Sequence, residues 1–115
     1  MTVGYEDLPP GTAIPVHKHL MDEEVLFLHQ GEVKVILGDR KQEVKQGATI
    51  YIPPGVWVGI ENTGKETASV LFIFPQPGFD EYVRQVASRP GEPEKKLTNK
   101  EADELDKKYH IVYRD

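Results

Sequence analysis

The stretch Gly11–Gly31, GTAIPVHKHLMDEEVLFLHQG, decides how this 115-residue chain is read. Its first half is strand-like and ends on His17-x-His19. Residues two apart in a strand leave the same face, so both imidazoles project to one side, their origins roughly 7 Å apart. Asp22, Glu23 and Glu24 follow in a short turn, and the apolar run from Val25 to His29 brings the chain back. Such a hairpin gathers two imidazoles and a carboxylate, a donor set that suits a first-row transition metal with positions left open. No other stretch has comparable ligand chemistry.

Outward from this hairpin the chain is punctuated by Gly and Pro. Val3 to Leu8 reads as a strand closed by Pro9-Pro10-Gly11, and Ala13 to His19 as the next, with Ile14 and Val16 alternating against Ala13, Pro15 and His17. Val33, Val35 and Leu37 alternate with Glu32, Lys34 and Ile36. Lys41 to Lys45 is a polar strand, and Thr49 to Ile52, Trp57 to Glu61 and Thr67 to Phe74 follow between further turns. About eight short strands at this spacing imply a mainly β fold, an antiparallel barrel or sandwich of jelly-roll type.

From Pro75 the texture changes. Phe79, Tyr82, Val83 and Val86 stand at i, i+3, i+4 and i+7, one face of a helix with Asp80 and Glu81 in its first turn. Pro90 to Lys96 is a polar linker. Thr98 with Glu101 forms a capping box that opens a second helix along Ala102, Leu105 and Tyr109. Ile111-Val112-Tyr113 is apolar enough to dock. The expected division is a β-barrel over 1–76 and a C-terminal tail of two helices over 77–115, packed on the barrel or on a partner subunit.

Composition narrows the function classes. The chain has no cysteine, so any metal must be held by His, Asp and Glu, and a cytoplasmic location is expected. A net charge of −5 without a basic stripe speaks against nucleic acid and anionic membranes as partners. The longest apolar run, Val70 to Pro75, is only strand-length, and no signal-peptide pattern opens the chain.

Gly11, His17, His19, Glu24 and Gly31 resemble the first cupin motif, in which Gly, His-x-His, Glu and Gly recur at this spacing. Gly47, Pro53, Gly55 and Asn62 resemble the second. The two cover about half of the chain. The resemblance is to small single-domain, quercetin-dioxygenase-like cupins. It implies closure of the barrel, a divalent transition metal (Fe, Mn, Ni, Cu or Zn) on His17, His19 and Glu24 inside one end, and pairing as a homodimer. The chain departs from the pattern at Val58, where the second motif normally supplies a third histidine. Either three ligands suffice, as in the two-His one-carboxylate triad, or the metal site is weakened or lost.

Other candidates have plainer readings. Glu23 competes with Glu24, although the motif spacing selects Glu24. His29 falls on the face opposite Glu24. His110 follows two lysines at a helix end, where an imidazolium suits the dipole. Asp22 is placed to orient a ligand histidine. Val58, Leu26, Phe72 and Trp57 are the expected lining of a substrate pocket. Two functions follow: a metal-dependent enzyme, foremost an oxygenase acting on a small organic substrate with Glu24 able to act as base, or a non-catalytic cupin that binds a small ligand. Isomerase and lyase chemistry use the same scaffold.

Overall fold

Glycine and proline turns cut the chain into short strands, and the observed elements follow that punctuation closely. The structure is a computed structural model that describes residues 1–114. The strands are β1 (Thr2–Leu8), β2 (Ala13–His19), β3 (Glu24–Gln30), β4 (Glu32–Leu37), β5 (Arg40–Lys45), β6 (Thr49–Ile52), β7 (Val58–Glu61) and β8 (Ala68–Phe74). Two helices, α1 (Phe79–Val86) and α2 (Asn99–Lys108), precede a final strand, β9 (Ile111–Tyr113). One sheet has the order β1-β8-β3-β6 and the other β5-β4-β7-β2-β9, all pairs antiparallel. The architecture is a jelly-roll of two facing sheets that do not merge into one hydrogen-bonded cylinder.

Alternation places the core between the sheets. Leu26 and Leu28 of β3, Val33 and Val35 of β4, Val58 and Ile60 of β7 and Val70 of β8 are all buried there. The opposite face of the four-stranded sheet carries Val3, Tyr5 and Tyr51, which are exposed. Two glycines are set by close approach. Gly31 has φ +89°, and a Cβ there would come within 2.8 Å of the Ala68 backbone. At Gly4, opposite Phe72, a Cβ would meet the Phe72 ring at 2.5 Å, so its absence makes room for that ring between the sheets.

The two sequence motifs are tied together at Asn62. Its backbone exchanges hydrogen bonds with Gly11 and Thr12, and its side-chain amide donates to the carbonyls of Leu8 and Glu66 at 2.8 Å each. The side-chain oxygen accepts from the Gly64 N–H at 3.0 Å.

One expectation needs correction and another gains a detail. The first is the regular alternation of β2. Ile14 pairs with Ile60 and His17 with Val58, so three steps on β2 match two on β7, a β-bulge. Pro15 lies in it, having no N–H to give to a ladder. The bulge turns Ile14 to the same side as His17, not the opposite one. The second concerns the tail over 77–115, whose last residues, expected to dock, form β9, an edge strand of the five-stranded sheet, with His17 opposite Tyr113 and His19 opposite Ile111. Flanking bonds from Leu20 N–H to the His110 carbonyl and from Arg114 N–H to the Val16 carbonyl extend that pairing. The capping box of α2 forms as expected, Thr98 and Glu101 each accepting the other's backbone N–H. His110 links α2 to β9 in the left-handed region, φ 58°, so it serves the turn that ends the helix. No helix among the described residues is long and apolar enough to cross a membrane.

Candidate metal centre

Two strands and a turn build the site. β2 carries His17 and His19 on its inner face, and β3 opens with Glu24, whose side chain points between the sheets like Leu26 and Leu28 after it. One ligand atom from each of His17, His19 and Glu24 lies within 4.8 Å of the other two. His19 and Glu24 are buried, and His17 is half-buried.

Their hydrogen bonding suits a cation. His17 Nδ1 lies 2.8 Å from the Pro15 carbonyl. A carbonyl oxygen only accepts, so Nδ1 carries the proton and Nε2 keeps a free lone pair. The bulge residue thus orients the His17 ring. His19 Nε2 stands 3.9 Å from Glu24 Oε1, too far for a hydrogen bond, and His19 Nδ1 is buried with no partner among the described residues. The rings of Phe74 and Phe79 box His19 at centroid distances of 5.0 and 5.5 Å.

Burial shows in the ionisation of all three groups. Desolvation pushes Glu24 up to about 8. It drives His19 down to about 4, with the neighbouring His17 adding to the effect. Desolvation also lowers His17, opposed by the bond to Pro15 and by the Asp106 carboxylate. Near neutrality the protein alone holds two neutral imidazoles around a largely protonated carboxyl. A bound divalent cation would reverse that preference at Glu24 and use the imidazole lone pairs as they stand. The donor set and the converging atoms fit such an ion.

The triad lies on the wall of a cavity of about 510 Å³. Leu26 and Phe72 line it. Val58 and Trp57 do not. Val58 is buried in the core beside His17, its register partner, whereas Trp57 lies under the ammonium of Lys18, 4.3 Å from the ring centroid, on the outer side of β2. Lys18 alternates with the inward histidines, which accounts for the position of Trp57.

The remaining candidates separate cleanly. Glu23 stands apart from the triad and accepts a hydrogen bond from Tyr51 at 2.7 Å. His29 packs edge-on against Tyr5 at the outer face. Asp22 makes no hydrogen bond to His17 or His19 among the described residues; burial raises its carboxyl, and nearby His110 opposes that rise. The Pro15 carbonyl has the orienting role instead.

The tail supplies wall residues that sequence reasoning did not assign to the site. Phe79, Tyr82, Val83 and Val86, the expected apolar face of α1, roof the cavity together with Tyr113 of β9. Thr2 Oγ1 accepts the Asp80 N–H at 3.1 Å and anchors the start of α1 to β1. The Tyr113 ring lies 5.7 Å from that of His17. The apolar periodicity of α1 was a usable signal. Nothing in the sequence marked Tyr113 as a neighbour of His17.

Comparison with known proteins agrees with this fold. The cupin domain family matches residues 4–74. An uncharacterized protein of Methanocaldococcus jannaschii is 39% identical over 64 residues, which are 56% of this chain and 51% of the relative. The chain therefore spans about half the length of that relative. A predicted oxalate decarboxylase from Thermotoga maritima aligns with TM-score 0.61 and 26% identity, over 63% of each chain. A Klebsiella pneumoniae protein with a double-stranded β-helix domain aligns with TM-score 0.60 and 23% identity, over 63% of this chain and 64% of that one. The second likeness bears on the fold alone.

Proposed function

We propose that this chain, which belongs to the cupin family, is a metal-dependent enzyme of oxygenase type acting on a small, largely apolar organic molecule. One observation carries the reading: His17, His19 and Glu24 converge on a cavity of about 510 Å³ whose wall is otherwise mostly aliphatic and aromatic. His17, His19 and Glu24 would hold the metal, which when bound supplies a Lewis-acid and redox centre with open positions. Pro15 fixes the tautomer of His17, and Phe74 and Phe79 exclude water around His19. Glu24 can take a proton at its carboxylate when loosely attached. A volume of this size and lining suits an aromatic or aliphatic body.

The decarboxylase assigned to the Thermotoga neighbour is the weaker reading for this chain. Oxalate is small and dianionic, and among the described residues no lysine or arginine stands on the cavity wall to hold its second carboxylate. A metal-poor, ligand-binding module is favoured by one feature, Val58 at the position facing His17. Elemental analysis of the purified protein after dialysis without chelator separates the two. Near-stoichiometric transition metal, followed by O2 uptake with phenolic or diketone substrates, supports the enzyme. A metal-free protein that also refuses added Fe(II), Mn(II) and Zn(II) overturns it in favour of the module. The homodimer expected from the family resemblance belongs to the same proposal, and light scattering reads it.

A further inference from the structure

We propose that Glu6 recognises a cationic group on the ligand, so that the cavity takes a molecule with an apolar, ring-bearing body and a protonated amine at the end remote from His17, His19 and Glu24. The inference rests on the triad marking the reacting end.

Register fixes the direction of Glu6. On β1, Gly4 lies against the inward Phe72 ring and Leu8 is part of the core, so Glu6 between them faces the same interior. It lines the cavity at its rim, exposed to solvent on one side, with Ile14 and Val70 also on the wall. Glu6 pairs with Val70, Val70 pairs with Leu28, and Glu24 stands four residues before Leu28 on β3. At about 3.4 Å per residue and 4.8 Å per strand, the two carboxylates are anchored roughly 17 Å apart, at opposite ends of the cavity.

The chemistry at the rim is one-sided. Among the described residues no hydrogen bond or ion pair engages the Glu6 carboxylate, and no lysine or arginine lines the cavity. Burial raises the Glu6 carboxyl above its usual value, and no cation nearby counters this. An ammonium group arriving there gains a charge-assisted hydrogen bond in partly desolvated surroundings, whereas a carboxylate is repelled. β1 is also an edge strand, and an inward charge on such a strand can serve only to discourage edge-to-edge pairing. The experiment distinguishes these roles.

Metal-free protein is titrated by NMR with 4-phenylbutylamine and with 4-phenylbutan-1-ol, which match in length and ring. The amine is expected to bind about tenfold tighter, the increment of a hydrogen bond to a charged group. Glu6→Gln should level the two affinities, and Glu24→Gln should leave the preference intact. Glu6→Lys should turn the preference toward 4-phenylbutyrate, which tests the charge should the glutamine variant fold poorly. Equal affinities in the unmodified protein overturn the proposal. So does a preference that survives Glu6→Gln, or a Glu6→Gln variant whose only change is self-association. Because the titration uses metal-free protein, absence of metal binding would defeat the reading of the triad without altering this result.

Discussion

Asn62 and the His17–His19–Glu24 group are both buried polar clusters, both belong to the repeated motif positions, and they behave oppositely. Asn62 uses its amide and its oxygen on three backbone partners. The triad does not: His19 Nδ1 has no partner, and the His19–Glu24 separation is 3.9 Å. Buried polar groups cost free energy unless paired, so a fully satisfied cluster stabilises the fold, while an unsatisfied one persists only if something else completes it. The first cluster serves the fold, and the second has the character expected of the binding site proposed above.

Removing ligands should break the comparison most sharply. His19→Ala or Glu24→Ala is expected to lower metal affinity by at least about 100-fold, more than loss of an outer partner of a ligand costs. Thermal unfolding of the metal-free protein should change little or improve, because an unsatisfied group has gone. His29→Ala, on the outer face, should leave metal binding unchanged. Isothermal titration with Zn(II) reads all three, and equal losses would overturn the assignment of faces.

Asn62→Ala should show the reverse pattern. It strands the carbonyls of Leu8 and Glu66, and a loss of about 2–4 kcal/mol in unfolding free energy is expected. Metal affinity of the folded fraction should hold, and a large drop in affinity with unchanged stability would contradict the structural role.

Acidity sharpens the contrast through Glu24. Its carboxyl titrates at about 8 in the folded, metal-free protein. Binding a cation must displace that proton, so affinity should fall roughly tenfold per pH unit from 8 to 6 and level off above 8. His19, already held down to about 4, does not compete in that window. Metal-free stability carries the opposite sign. The folded state keeps the Glu24 proton that the unfolded chain releases, so this contribution is complete below about 4.5 and is lost as pH rises through about 8. Titrations in buffers of different ionisation enthalpy at pH 7 should show close to one proton released per metal, and none in Glu24→Gln.

The smallest effect is expected at Val58. It pairs with His17 and faces the same interior, so Val58→His offers a further ligand and should tighten metal binding by up to about tenfold. An unchanged affinity in a folded variant would mean that the side chain at 58 cannot reach the ions held by the triad.

Much of this was legible before any coordinates. Alternating apolar residues between Gly and Pro turns gave the eight strands of the jelly-roll, and the Thr98–Glu101 spacing gave the cap of α2. The two-residue step from His17 to His19 put both imidazoles on one face because strand geometry leaves no alternative. The bulge was announced only faintly, by Pro15, and its consequence depends on which strand lies alongside. Trp57 looked like pocket lining because it is aromatic and next to Val58, yet its placement follows from the strand break before β7 and the ammonium of Lys18.

The sequence by itself determined the local facts: which residues are extended, where the chain turns, which donors share a face, and that no thiolate is available. Those depend on a residue and its near neighbours. Only the tertiary structure decided that β9 closes beside β2, that Tyr113 stands against His17, that α1 roofs the cavity and that Glu6 faces into it. These contacts join residues about 65 to 95 positions apart, and at that separation pairing is set by how whole faces are buried against one another.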